Sequence, residues 1–446
     1  MLTAINDLLW GPGTLGLLLG TGIFLTVRMR FLPWRRMGCA LRAALGREAR
    51  QADRGGVSPF SALMTTLAAT IGTGNIAGVA AALAAGGPGA LIWMELSALL
   101  GMATILTESL LSVQYRKRDR RGVRHGGPMY VMEAAFGVRF GRLLGRLFAV
   151  FAVGASFGIG CMTQANAITG ALTSTFALPA ELIGALAAAL TLIVIAGGIR
   201  GISRITTVLV PLMSLFYLAA GLWVIGGNLE HLLPGLRSMF RCAFSPQAIA
   251  GGAAGAALRW GIARGVLSNE AGLGSTGITA ASADTADPVK QGYISMTGAV
   301  FDTLLLCTVT GLAICCSGVL GTLDAQGAPV DGAALTILAF ETVLGPLGSR
   351  ILTFSIVLFA FSTILGWEYQ GEQCFLYLTG GGGRLLYRLL YALAVLFGAT
   401  QRQDTVYLLC DICNALMCMP NLLCLLVMSG QAARSVRQYD AFFRRV

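Results

Sequence analysis

The sequence predicts an all-α integral membrane protein with about eleven transmembrane helices. Three observations carry that expectation. Of 446 residues, 55% are hydrophobic and 12% charged, with mean hydropathy +0.73, whereas a soluble chain carries roughly a quarter charged residues. Apolar runs recur along the whole chain, each near the roughly 20 residues that cross a bilayer. The short alternating strands of a membrane β-barrel are absent.

The first run, Leu15 to Val27, has no basic region before it and no cleavage site after it, so it reads as a retained span rather than a secretory signal. The expected spans are 12–29, 58–84, 88–114, 146–175, 180–198, 204–226, 245–281, 291–318, 348–376, 384–400 and 404–429. The stretch 331–344 reads as a short amphipathic surface helix.

The net charge of +11 comes from basic residues in the short loops between spans, a pattern that orients a membrane protein and excludes a nucleic-acid partner. Of the 32 Lys and Arg, only Arg237, Arg241, Arg350 and Arg402 fall on one side, and Arg259 and Arg264 lie within span 7. All the others share the opposite side, which the positive-inside rule makes cytoplasmic. The N-terminus is then outside and the C-terminus in the cytoplasm, as an odd span count requires. The expected location is the inner or plasma membrane of the cell.

The eleven cysteines sit almost entirely in apolar runs and read as small hydrophobes. Cys410 and Cys413 form a C-x-x-C without a second pair or a nearby histidine. His125 and His231, the only histidines, both lie in loops. No bound cofactor is expected. No nucleophile–base motif or intramembrane histidine points to an enzyme.

Two spans are interrupted near their midpoints by small and polar residues. Span 2 contains Gly72-Thr73-Gly74-Asn75, and span 7 contains Ala263 to Gly277, "ARGVLSNEAGLGSTG". The interruptions are five spans apart. Spans 2–6 and 7–11 therefore read as two five-helix sets of inverted topology, residues 58–226 and 245–429. Residues 1–57 form an added helix and basic loop, and 430–446 a cytoplasmic tail. Discontinuous helices at matching positions of inverted halves mark a transporter's binding site.

Unwound backbone at the midplane must line an enclosed cavity, because hydrocarbon cannot satisfy its N–H and C=O groups. The half-helix starting near Asn75 offers N–H groups and a partial positive charge to a carboxylate. The half-helix ending at Ala69 to Ile71 offers carbonyls to a cation or an ammonium. Close helix packing on small residues is the competing explanation, but it favours glycines four apart on one face. Gly72 and Gly74 are two apart.

These residues also carry a resemblance. "TIGTGNIAGVAAALAAGGPGALIWM", "ALLGMAT", "MTQANAI", "GVLSNEAGLGS", "DPVKQG", "STILGW" and "GEQC" resemble the alanine or glycine:cation symporter family, from about Ser58 to Cys424. The resemblance implies a leucine-transporter-like fold with inverted five-helix repeats. It implies cotransport of a small neutral amino acid, alanine or glycine, with Na⁺ or H⁺. Carried over residue by residue, it places the substrate carboxylate at Gly72, Thr73, Gly74 and Asn75 and a polar contact at Gln164. Trp367 becomes a pocket wall, and Val266, Ser268 and Asn269 the span 7 contribution. It places a sodium ion between the backbone of Ala68 and Ile71 and the hydroxyls of Ser362 and Thr363, an oxygen cage suited to a hard cation.

The chain departs from the family pattern at Glu95, Ile105, Ala280, Glu368 and Gln370, where an aromatic residue, lysine, histidine, a small residue and tyrosine are usual. Glu368 or Glu95 could then couple a proton to the transport of a different amino acid. Glu270, at the span 7 break, reads as an ion-pair partner of Arg264 or a ligand contact. Asp302 reads as a helix cap or a partner of a neighbouring span, and Glu108 as a partner of Arg116 or Arg118. The expected function is import of a small neutral amino acid with a cation, by alternating access. A channel and a transporter of another amino acid are the rivals. The partners are the amino acid and the bilayer, and the sequence sets no oligomeric state.

Overall fold

The computed structural model describes residues 2–52, 56–119, 123–244, 253–401 and 404–443. Among them the chain is helical apart from one two-stranded hairpin, Lys117–Arg118 with Arg124–His125. Seven helices are long and apolar enough to cross a membrane: Leu2–Arg28, Gly89–Gln114, Pro128–Phe176, Gly198–Gly227, Pro288–Ser317, Pro346–Leu378 and Val406–Asp440. The pair Pro59–Thr70 and Thr73–Gly86 forms an eighth, bent by 61°. Ala180–Ala196, Arg384–Thr400 and the interrupted Ala253–Asn269 with Ser275–Ala280 occupy the other three expected places. Residues 245–252, assigned by the sequence to the start of span 7, lie outside the described residues.

The solvent of this fold is readable from its surface. On helix Ala180–Ala196 the exposed residues include Leu182, Leu186, Leu190 and Ile193, which recur at helical spacing on one face. On Arg384–Thr400 they include Leu385, Leu386, Leu389, Leu393 and Phe397. Such faces are unfavourable in water and suited to lipid. Polar residues are turned inward: Thr65, Asn75, Thr107, Asp302 and Ser362 are all fully buried.

Some elements differ from expectation. Span 4 begins at Pro128, far before residue 146, and bends at Gly137, whose φ of 77° breaks the helix. An amphipathic helix, Leu229–Phe244, fills the connection before span 7. Two turns are π-helical, Gly158–Met162 in span 4 and Val300–Cys307 in span 8. The helix Gly332–Leu344 is not a surface element. Leu335, Thr336, Ala339 and Phe340 are buried, and the Thr336 hydroxyl donates to the Ile76 carbonyl of span 2 at 3.2 Å. Its many apolar residues prefer that seat to an aqueous face.

The ends of spans 2 and 7 near Ser58 and Ala281 are tied together. Val57 pairs with Ala283, and the Asp284 N–H donates to the Val57 carbonyl at 2.6 Å. The Asp284 carboxylate accepts from the Gly56 N–H at 3.0 Å and is ion-paired to Arg124. Arg116 donates to the carbonyls of Ala281, Ala283 and Thr285. That end of the bundle is closed.

Span 9, Pro346–Leu378, crosses span 2 closely enough that only glycine fits at the contact. A Cβ on Gly366 would lie 2.5 Å from the Ala69 nitrogen. Overpacking of this kind costs about 1–3 kcal/mol. Gly366→Ala is therefore expected to lower the melting temperature of the detergent-solubilised protein. Gly20→Ala, where a Cβ meets open space, is expected to leave it unchanged or slightly raised. Thermal unfolding of the two variants side by side checks this.

Candidate functional site

The interruption of span 2 begins where helix Pro59–Thr70 stops and Ile71 turns extended, with ψ 91°. Gly72 follows in an extended conformation, and Thr73–Asn75 make one tight turn before helix Ala77–Gly86. The Asn75 side chain holds the turn. Its Oδ1 accepts from the Gly72 N–H at 2.9 Å, and its Nδ2 donates to an Asp302 carboxylate oxygen at 2.6 Å. The Asn75 carbonyl accepts from Thr310 at 2.8 Å. No acceptor for the Thr73 or Gly74 N–H is found among the described residues. Gly74 is exposed and Thr73 half-buried, whereas Gly72 and Asn75 are buried. A Cβ on Gly74 would meet open space. These two N–H groups thus lie in the open part of the break, at the middle of a membrane span.

Span 4 borders that part of the break. The π turn Gly158–Met162 widens the helix, and Gln164 fills the gap by donating from Nε2 to the Ile159 carbonyl at 3.0 Å. Its Oε1 accepts from the Thr73 hydroxyl at 3.1 Å. Gly160 admits Trp367 of span 9, whose Cβ would otherwise be 2.3 Å from a side chain there. Trp367 is buried.

The carbonyl end of the break faces span 9. Ser362 and Thr363 both approach the Ile71 carbonyl at 3.4 Å while donating to the Phe359 carbonyl at 2.8 and 3.0 Å. Gly72 lies so near that a Cβ would be 2.5 Å from the Thr363 hydroxyl. Ala68 is fully buried one turn earlier on the same helix. Carbonyl and hydroxyl oxygens converge here without a nearby charge, a donor set for a hard cation.

The span 7 break runs from Asn269 to Ser275. Glu270 has a left-handed φ of 56°, and Gly272 and Gly274 have φ of 95° and 87°. The Asn269 Oδ1 accepts from the Ala271 N–H at 3.0 Å. Glu270 accepts from Ser275. The expected Glu270–Arg264 ion pair does not form: among the described residues Arg264 stacks over Trp260 instead. Six residues apart, the two lie on different faces of a helix, and the left-handed turn at Glu270 leaves its carboxylate on Ser275 rather than on Arg264. Glu108 likewise does not pair with Arg116 or Arg118. Its Oε1 accepts from the Gly272 N–H at 3.0 Å and Asn421 Nδ2 at 2.7 Å. Asn421 also donates to the Gly272 carbonyl. Spans 3 and 11 thus satisfy the backbone that span 7 loses by unwinding.

Asp302 joins the two breaks. It is fully buried and accepts from Asn75 of span 2, from Ser268 of span 7 at 2.8 Å and from Thr303 at 2.8 Å. The π turn Val300–Cys307 places Asp302 and Cys307 on one face, five residues apart. Cys307 Sγ lies 3.4 Å from Asn75 Nδ2 and 3.3 Å from the Ser268 hydroxyl. The partner in a neighbouring span that the sequence anticipated for Asp302 is therefore two partners, one at each break. Val266, on the helix leading into the span 7 break, is buried in the apolar core.

Two further candidate acids have partners of their own. Glu95 accepts from Thr308 at 2.8 Å. Glu368 is buried with Arg388 at 3.7 Å as its ion-pair partner, beside Glu372, which binds Arg388 at 2.5 Å and Arg384 at 3.2 Å. Neither acid is hydrogen-bonded to Thr73 or Gln164.

The family model for the sodium:alanine symporter family matches residues 1–445. The chain belongs to that family. It is 42% identical to the sodium/alanine symporter AgcS of Methanococcus maripaludis, over 99% of this chain and 97% of that protein. It is 35% identical to the probable sodium/glutamine symporter GlnT of Bacillus subtilis, over 97% and 89%. Among solved structures it resembles MhsT in complex with L-phenylalanine, with TM-score 0.59 and 15% identity over 88% of this chain and 99% of that one. The fold is therefore the leucine-transporter-like one with two discontinuous helices. The protein is a multi-pass membrane symporter that couples an amino acid to a cation, not an enzyme.

Gly72→Ala tests the convergence of Gly72 on Thr363. Its added methyl has no room beside the Thr363 hydroxyl, so we expect a lower melting temperature and strongly reduced transport. Gly74→Ala has room, and we expect it to keep the melting temperature. Equal melting temperatures for the two variants would contradict the geometry.

Proposed function

We propose that the protein imports a small neutral amino acid of the alanine or glycine class together with Na⁺, by alternating access across the cell membrane. The observation that carries this reading is the pairing, at one break, of two N–H groups without acceptors with an all-oxygen cluster on the other side of the turn. The α-carboxylate sits on the Thr73 and Gly74 N–H groups, with Gly72 and Asn75 holding the turn. Gln164 supplies a further polar contact and Trp367 closes the pocket. Val266, Ser268 and Asn269 complete the wall from span 7. The Na⁺ ion takes the carbonyls of Ala68 and Ile71 and the hydroxyls of Ser362 and Thr363.

The side near Ser58 and Ala281 is closed by Arg116, Arg124 and Asp284, while Gly74 is exposed. With the N-terminus outside and the C-terminus in the cytoplasm, this is a form open to the outside. Import then requires breaking the Asp284 contacts as spans 2 and 7 tilt against the remaining helices. Each of the repeats 58–226 and 245–429 contributes one of the moving helices, span 2 from the first and span 7 from the second. One charge carried through 100 mV adds about 2.3 kcal/mol to the driving force, roughly 50-fold accumulation. Coupling by a proton on Glu368 or Glu95 has less support, since Glu368 faces Arg388 and Glu95 faces Thr308. Glu270, held by Ser275, is the remaining coupling candidate.

In proteoliposomes, labelled alanine or glycine is expected to accumulate under an inward Na⁺ gradient and not under a pH gradient alone. Accumulation driven by the pH gradient alone would favour the proton reading, and equal uptake without either would remove symport. Orientation is checked at Cys39, which is exposed in the loop after span 1. An impermeant maleimide is expected to label it in inverted vesicles and not in right-side-out ones.

A further inference from the structure

The loop after span 1 folds into helix Met37–Leu45 and the turn Arg47–Arg50. Together with the start of span 8 and the end of the last helix, these enclose a half-open cavity of about 620 Å³, remote from both breaks. Four cations line it: Arg36, Arg42, Arg47 and Lys290. Arg36 is held by Asp440 at 2.5 Å and Lys290 by Glu48 at 2.7 Å. Among the described residues Arg42 and Arg47 have no carboxylate within ion-pair distance, and both are exposed. The cavity therefore carries two uncompensated guanidinium groups. Its inner wall is apolar in part, with Ala40, Ala43 and the ring of Tyr293. The Tyr293 hydroxyl is buried and has no hydrogen-bond partner among the described residues.

We propose that this cavity binds a phosphate ester anion, and that the ligand is the headgroup of an anionic phospholipid. The guanidinium pair supplies bidentate recognition of phosphate oxygens. The apolar wall favours an amphiphile over a free anion, because it accepts the glycerol and upper acyl carbons. A lipid seated here bridges the loop helix, the start of span 8 and the C-terminal helix, beside the Arg36–Asp440 and Lys290–Glu48 pairs and the Tyr293–Tyr439 ring contact. Binding therefore stabilises the inner end of the bundle.

The test uses the full-length protein in neutral detergent. Phosphatidylglycerol in mixed micelles is expected to raise the melting temperature by several degrees, and phosphatidylcholine at the same fraction is not. Each basic residue near an anionic lipid contributes about 1 kcal/mol, so the double variant R42A/R47A is expected to need about thirtyfold more phosphatidylglycerol for the same shift. The control R139A/R146A removes two exposed arginines elsewhere and is expected to respond like the parent. Both variants change exposed side chains and keep the fold. An undiminished shift in R42A/R47A, or an equal shift with phosphatidylcholine, overturns the proposal. A full shift with inorganic phosphate alone overturns the lipid assignment and makes the cavity a site for a soluble anion.

Discussion

The Asp302 carboxylate is the contact on which the arrangement of this membrane protein turns. It lies in the bundle interior, out of reach of water, and accepts from Asn75 of one interrupted helix and Ser268 of the other. A carboxylate buried without donors would cost several kcal/mol. Here three side-chain donors surround it, and two of them are fixed to the breaks. The same atoms that satisfy Asp302 therefore hold spans 2 and 7 at a set distance from each other.

Around that contact, several backbone groups released by unwinding have side-chain partners, most of them from other helices. Gly72 N–H goes to Asn75, the Ile71 carbonyl to Ser362 and Thr363, the Ile76 carbonyl to Thr336. In span 7, the Gly272 N–H goes to Glu108 and its carbonyl to Asn421. This is the condition for irregular backbone at membrane depth. Against that background the Thr73 and Gly74 N–H groups stand out as donors left for a ligand, in the one part of the break that is exposed.

Much of this was legible in the sequence because it is local. The spans follow from hydropathy, and the breaks from glycine and asparagine within apolar runs. What was not legible depends on partners far along the chain. Glu108 reads as a partner of nearby Arg116, yet it bonds Asn421, 313 residues away. Glu270 and Arg264 are separated by a left-handed turn that spacing alone does not reveal. The two π turns leave no composition signal, though they aim Gln164 and Asp302 at the break. The helix 332–344 reads as a surface element because it is too short to cross a bilayer, and its contact with span 2 through Thr336 is made to a residue 260 positions away.

If Asp302 fastens the two breaks together through Asn75, the energies of the two residues must be coupled. A double-mutant cycle with Asn75→Ala and Asp302→Ala, read by unfolding free energy in detergent, measures that coupling. We expect an interaction energy of about 1–3 kcal/mol, with the second substitution costing much less once the first is made. Strictly additive losses would contradict the account, because they would mean that each break is held independently of the other.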